Sequence, residues 1–189
     1  MFCQSGFQFF QQVLYTSNFN YLEIGVFDGD SIAGIAQRHP NKTVYAIDPF
    51  IEDGNTVHTT NVERGNSMPK QKENTYKNIK DLSNIVLFET TSGDFAKLLT
   101  DEMITDMNVG WVLIDGSHYY EDIVVDMHMA MRLIGDKPGG IVFDDVNLPG
   151  VGQAYREWLE IYKDQVGPVT DVYPGEPGHI LAHLVNAKG

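Results

Sequence analysis

One cysteine, Cys3, is present in 189 residues. An intrachain disulfide is therefore excluded, as is a zinc site built on paired thiolates, and a reducing, cytoplasmic location is expected. Basic residues are scarce: 13 Lys and Arg stand against 26 Asp and Glu, a formal charge of −13. A field of that sign repels phosphate backbones, so nucleic acid is not an expected partner. No apolar run reaches spanning length, and the start, with Phe2, Phe7, Phe9 and Phe10, has no basic leader, so neither a membrane span nor a signal peptide is expected. Phe7, Phe10 and Leu14 fall at helical spacing and predict a helix within residues 1–20 that packs on the domain. Internal repeats and low-complexity tracts are also lacking, and the length suits one domain, 1–189, with a sizeable core.

What the chain does contain is a regular alternation of apolar runs and helical segments. Strands are predicted at Tyr21–Gly25, Thr43–Ile47, Ile85–Glu89, Trp111–Ile114 and Ile141–Phe143. Helices are predicted from Ser31, a candidate N-cap, to about His39, from Phe95 to Leu99, from Tyr119 to Ile134, and from about Gln153 to Lys163. Strand–helix–strand order predicts right-handed parallel crossovers. Two further apolar-rich runs, Val169–Tyr173 and His179–Val185, flank Pro174–Gly178 and predict an antiparallel hairpin. The expected fold is α/β: a single doubly wound, mostly parallel seven-stranded sheet with a C-terminal antiparallel hairpin. Residues 50–72 are polar, contain Gly54, Gly65 and Pro69, and show no sustained period, which predicts a long lid loop.

Chemistry concentrates at the predicted strand ends. Glu23-Ile-Gly25-Val-Phe-Asp-Gly29 places an acid at the end of the first strand and two glycines in the following turn. A dinucleotide fingerprint would carry glycine where Phe27 stands, and a bulky side chain there obstructs a pyrophosphate. Carboxylates at Glu23, Asp28 and Asp30 further favour a cofactor bearing positive charge and hydroxyls. The fourth run ends in Asp115-Gly-Ser-His118 and the fifth in Asp144-Asp145. In an open parallel sheet, ligands bind outside these carboxyl ends near the switch in strand order. Oxygen ligands on neighbouring strand tips suit a hard divalent ion, Mg²⁺ first, and a histidine beside them can accept a proton near neutral pH. Asp144 and Asp145 point to opposite faces unless the chain bends, which leaves Asp145 either a third ligand or a residue behind the ligands.

The Glu23–Gly29 segment, with Asp48 placed 19 positions beyond Gly29, resembles the first motifs of the class I S-adenosylmethionine-dependent methyltransferases, over about residues 21–185. The resemblance implies that Glu23, Gly25, Gly29 and Ser31 belong to the turn holding the methionine part of S-adenosylmethionine. It also implies that Asp48 binds the ribose hydroxyls and that Ser92, Gly93 and Asp94 line the adenine. Asp115 and the Asp144–Asp145 pair are similar to the acids of metal-dependent O-methyltransferases of the catechol and macrolide-sugar types. Asp145, where the catechol type carries Asn, brings the chain nearer the sugar-modifying group, in which a histidine placed as His118 is the general base. The implied acceptor is a hydroxylated small molecule, sugar or catechol-like.

Blander readings of the same residues remain. Asp115 can cap the following helix, Asp48-Pro49 can be a turn starter, and Ser92–Asp94 can form an ordinary turn. His128 stands among Met127, Met129 and Met131 and reads as core packing, His179 and His183 read as structural or exposed, and Tyr119 or Tyr120 can line an acceptor pocket. A metal-independent methyltransferase, a nucleotide-binding or oxidoreductase domain and a non-catalytic module share the expected fold. Only about 20 residues precede the first strand, so the acceptor pocket is expected to be open, completed by the 50–72 loop, or completed by a partner copy, as in a homodimer.

Overall fold

Short apolar runs that can bury both faces pair side by side, and the helices between them must cover those faces. A computed structural model describes residues 13–51, 68–174 and 179–186. Five parallel strands follow the predicted runs: β1 (Asn20–Ile24), β2 (Val44–Ile47), β3 (Ile85–Phe88), β4 (Val109–Ile114) and β5 (Gly139–Phe143). The hairpin is β6 (Val166–Pro174) and β7 (His179–Val185), and β7 runs antiparallel to both β5 and β6. The sheet has seven strands in the order β3-β2-β1-β4-β5-β7-β6. Strand order therefore reverses between β1 and β4, whose carboxyl ends lie side by side, with Ile24 opposite Ile114.

Six helices are delimited among the described residues: α1 (Asp30–Arg38), α2 (Met68–Ile79), α3 (Ser92–Leu98), α4 (Asp101–Met107), α5 (Tyr120–Ile134) and α6 (Pro149–Tyr162). Residues 13–16 are also helical, and Leu14 is fully buried, as the N-terminal helix requires; Phe7 and Phe10 lie outside the described residues. Alternation along β1 divides the core. Leu22 and Ile24 join Met127, Ile134, Phe143 and Trp158 beneath α3 to α6, while Tyr21 joins Leu14, Ile32, Ile35, Trp111 and Leu113 on the α1 side. None of the described helices is long and apolar enough to cross a membrane.

Several boundaries move for identifiable reasons. The predicted loop gives way to helix at Met68 rather than after residue 72, because Pro69 sits in the first turn, where its missing N–H is tolerated. The rest of the predicted lid, 52–67, lies outside the described residues. Likewise α6 starts at Pro149 rather than Gln153, with proline in its first turn. Helix α4 has no counterpart among the predicted helices; the Thr100 hydroxyl caps it by accepting the Met103 amide at 3.2 Å. Ser31 is not an N-cap: Gly29, at φ 81°, holds that position and Ser31 enters the first turn of α1.

His128 is exposed rather than core, with Nδ1 2.8 Å from the Tyr162 hydroxyl, while the flanking methionines are buried. His183 is buried between the Tyr155 hydroxyl at 2.6 Å and the Gly167 carbonyl at 3.0 Å. The carbonyl can only accept, so Nδ1 carries the proton and Nε2 receives the tyrosine hydroxyl. This histidine ties α6 to the hairpin. His58 and the side chain of His179 fall outside the described residues.

Candidate active site

The first half of the site is the turn after β1. Gly25 has φ 89°, and a Cβ on it would lie 2.1 Å from the backbone oxygen of Asp115. Only glycine lets the ends of β1 and β4 meet so closely. Phe27 follows at φ 56°, an uncommon conformation for a bulky residue. Asp48, just beyond β2, holds this turn in place. Its Oδ2 accepts the amides of Val26 at 2.8 Å and Phe27 at 3.3 Å, and its Oδ1 accepts that of Phe50 at 2.7 Å. Burial raises the Asp48 pKa, and these three amides oppose the rise.

Glu23 is 2 % exposed on the α1 side of the sheet. Tyr21 donates to its Oε2 at 2.8 Å and the Ser31 hydroxyl donates to its Oε1. Burial pushes the Glu23 carboxyl up to about 7, although both donors favour its ionised form. From the other side, helix α2 clasps the same turn. The Thr75 hydroxyl is 3.0 Å from the Phe27 carbonyl, and Asn78 Nδ2 donates to the Asp28 carbonyl at 3.0 Å and to Asp30 at 2.7 Å. A Cβ on Gly29 would come within 3.0 Å of Thr75, so Gly29 admits α2 as well as starting α1.

Ser92, Gly93 and Asp94 form the first turn of α3, capped by the Thr91 hydroxyl, which accepts the Asp94 amide at 3.1 Å. Asp94 is exposed and pairs with Lys97 at 2.7 Å. Ser92 lies beside Asp126, a residue 1 % exposed whose carboxyl oxygens have otherwise no hydrogen-bond partner among the described residues. Burial pushes Asp126 up to about 7. Such an acid is protonated in the folded chain where the unfolded chain has already lost the proton, so its contribution makes stability fall between about pH 4 and 7. Raising it from 3.8 to about 7 corresponds to a ceiling of roughly 4 kcal/mol. Asp126→Asn is therefore expected to gain on the wild type by at least about 1 kcal/mol between pH 5 and pH 8 in urea denaturation. A stability difference independent of pH would contradict the assignment.

The second half lies at the tips of β4 and β5. The Asp115 amide donates to the Ile24 carbonyl at 2.9 Å and the Asp144 amide to that of Ile114 at 3.0 Å, so both acids continue the ladder at the switch in strand order. Asp145 adopts φ 55°, and its amide donates to Asp144 Oδ1 at 2.7 Å. The chain does bend there, and the bend turns Asp145 toward His118: Oδ2 lies 3.1 Å from Nε2. These side chains are 17 and 18 % exposed, sheltered but within reach of a ligand. Burial, then repulsion from Asp144, raises the Asp115 carboxyl well above the usual range. Burial, then repulsion from Asp145, pushes Asp144 up to about 6. Asp115 is not the cap of α5: Tyr119 holds that position without a side-chain hydrogen bond, and Ser117 instead bonds Asp122 at 2.7 Å.

Carboxylate chemistry suits a hard cation, but placement does not complete a metal site. Among the described residues no three His, Cys, Asp or Glu side chains gather as a ligand set. The expected trio of Asp115, Asp144 and Asp145 is thus not assembled, and Asp145 is engaged by His118.

Several positioning residues escaped the sequence reading. Tyr21, Thr75 and Asn78 act through contacts distant in the chain or hidden in the core. Gly150, in the first turn of α6, is another: a Cβ there would lie 2.5 Å from the His118 carbonyl oxygen. Tyr119 is exposed and Tyr120 bonds Glu157.

Comparison with known proteins identifies a family and a shared fold. A relative, the uncharacterized protein R132 of Acanthamoeba polyphaga mimivirus, is 28 % identical over 174 residues, 87 % of this chain and 72 % of the relative. The O-methyltransferase TomG of Streptomyces achromogenes, involved in tomaymycin synthesis and solved with S-adenosylmethionine, shares the fold at TM-score 0.69 and 14 % identity, over 98 % of this chain and 81 % of TomG. CalS11, a TDP-rhamnose 3′-O-methyltransferase of calicheamicin biosynthesis, shares it at TM-score 0.59 and 15 % identity, over 92 % and 75 %. The profile of the methyltransferase domain matches residues 22–146, from β1 through the Asp144–Asp145 tip. The chain belongs to the methyltransferase-domain family, within the class I S-adenosylmethionine-dependent group that its first motif resembles.

Proposed function

We propose that this protein transfers the methyl group of S-adenosylmethionine to a hydroxyl of a small molecule, with His118 as general base and Asp145 as the residue that orients it. The observation carrying this reading is the 3.1 Å contact between His118 Nε2 and Asp145 across the tips of β4 and β5, beside the Gly25 turn. S-adenosylmethionine would lie along the ends of β1 and β2. Glu23, ionised once the sulfonium is in place, supplies negative charge near it, Asp48 holds the turn and faces the ribose, and Ser92–Asp94 stand at the adenine end. TomG supports the cofactor and the oxygen acceptor, and CalS11 supports a sugar.

Methyl transfer is an in-line displacement: the acceptor oxygen bonds to the methyl carbon as the carbon–sulfur bond breaks, and the electron pair stays on sulfur. The protein contributes by holding oxygen, carbon and sulfur in line and by removing the hydroxyl proton. His118 accepts that proton, and the Asp145 carboxylate stabilises the imidazolium formed. A divalent cation, Mg²⁺ first, is a second reading. It is favoured by the repulsion within the Asp115–Asp144 pair, which a cation would relieve. Those two acids would hold it, and its chemistry would be to lower the pKa of a bound hydroxyl.

The deciding experiment is calorimetric titration with S-adenosylhomocysteine, with and without Mg²⁺, followed by turnover of S-adenosylmethionine against catechols and deoxysugars. Micromolar binding independent of Mg²⁺ and turnover that survives chelator are expected. Lack of binding in both metal conditions would sink the cofactor reading. Turnover lost to chelator and restored by Mg²⁺ would replace the base reading with the metal one.

A further inference from the structure

Glu23 is an acid two hydroxyls hold in the core. Tyr21 is fully buried one side-chain repeat earlier on the same face of β1, and its hydroxyl reaches Glu23 Oε2 at 2.8 Å. Ser31, in the first turn of α1, takes Oε1. The surroundings are otherwise apolar, with Trp111, Leu113 and Ile32 in the same cluster. Facing Glu23 are Tyr21 from β1, Ser31 from α1, Asp48 beyond β2 and, through space, Asp115 beyond β4. Among the described residues no cationic side chain faces it.

A lone charge in such a place is strongly disfavoured unless donors and a counter-charge compensate. The donors are built in. The counter-charge would be the cofactor, whose sulfonium is present before reaction and absent after it. We propose that Tyr21 is a positioning residue of the cofactor site: with Ser31 it aims Glu23 as a carboxylate, and arrival of the sulfonium expels the Glu23 proton to solvent. The proposal rests on the S-adenosylmethionine reading above.

The balance is simple. Free enzyme near neutrality holds Glu23 partly as the acid, and binding the cation leaves the carboxylate and releases the proton. Once the methyl group has left, sulfur is neutral, and Glu23 can take a proton back. Affinity for S-adenosylmethionine should therefore rise with pH through the Glu23 titration, and rise less for S-adenosylhomocysteine. Removing a donor to the carboxylate raises the acid's pKa further and moves this rise to higher pH.

The test is the pH profile of S-adenosylmethionine affinity from pH 5.5 to 9, by calorimetry, for wild type, Tyr21→Phe, Ser31→Ala and Glu23→Gln. In Tyr21→Phe the limb should move alkaline by about one pH unit, a roughly tenfold loss at pH 6 that closes by pH 9. Ser31→Ala should move it in the same direction, and Glu23→Gln should remove the Glu23 limb, which separates it from titration elsewhere in the site. A structural role for Tyr21 would instead lower affinity equally at every pH. That result, or profiles of Tyr21→Phe and wild type that superimpose, would overturn the proposal while leaving the cofactor reading intact. A wild type that binds no cofactor at any pH would overturn both.

Discussion

His118→Ala is expected to lower kcat for methyl transfer by about 10²- to 10⁴-fold, the usual contribution of a positioned general base. Cofactor affinity should stay near the wild-type value, because His118 lies on the loop after β4, while the cofactor is assigned to the turn braced by Asp48 and α2. Asp145→Asn is the companion variant. Asparagine tolerates the positive φ of that position, so the backbone bend should survive while the charge opposite Nε2 is lost. A smaller fall in kcat, about ten- to a hundredfold, is expected from a base that is present but poorly oriented. Single-turnover kinetics with saturating cofactor would measure both. Undiminished turnover in His118→Ala would remove the histidine from the chemistry and return attention to Asp115 and Asp144.

Gly25→Ala should be at least as damaging by a different route. The residue sits at φ 89°, and the new methyl group would lie 2.1 Å from the Asp115 oxygen and 2.5 Å from its carbonyl carbon. Neither is the movable end of a side chain, so the tips of β1 and β4 must separate. The backbone conformation costs about 1–2 kcal/mol for an L residue and the overpacking about 1–3 kcal/mol. A loss of roughly 2–5 kcal/mol is expected on chemical denaturation, with cofactor affinity falling by at least about tenfold as the two halves of the site move apart. Gly93→Ala is the control. That glycine is helical and the nearest atom to its Cβ is Thr91 Oγ1 at 4.0 Å, so stability should hold or rise by about 0.5–1 kcal/mol. Equal effects at the two positions would show that the close approach at Gly25 is not what constrains it.

Much of this arrangement is legible in the chain because it depends on local pattern. The apolar runs ending in Glu23-Ile-Gly25, Asp48, Asp115 and Asp144 mark strands by composition, and strand–helix alternation brings their carboxyl ends to one edge. Asp145 could be read only as an alternative, since whether it points with Asp144 or away depends on a bend no residue type announces. The bend exists, and the pairing it makes with His118 uses the side chain that a metal trio would have required. Ser31 shows another limit. A serine at the head of a helix favours an N-cap reading, but the adjacent glycine took the cap and freed the hydroxyl for Glu23. Residues that brace the site from elsewhere left no local trace. Thr75 and Asn78 are unremarkable polar positions on α2 until the fold sets them 48 and 50 residues back along the chain, against Phe27 and Asp28.

Helix α6 joins two properties that are usually separable. Its middle, through Tyr155 and Trp158, is packed into the aromatic core around Phe143 and His183, while its first turn at Gly150 abuts the His118 carbonyl. The same helix therefore packs against both that core and the loop carrying His118. Substitutions deep in the hydrophobic core, far from any reacting atom, would thus reset the reach of the proposed base.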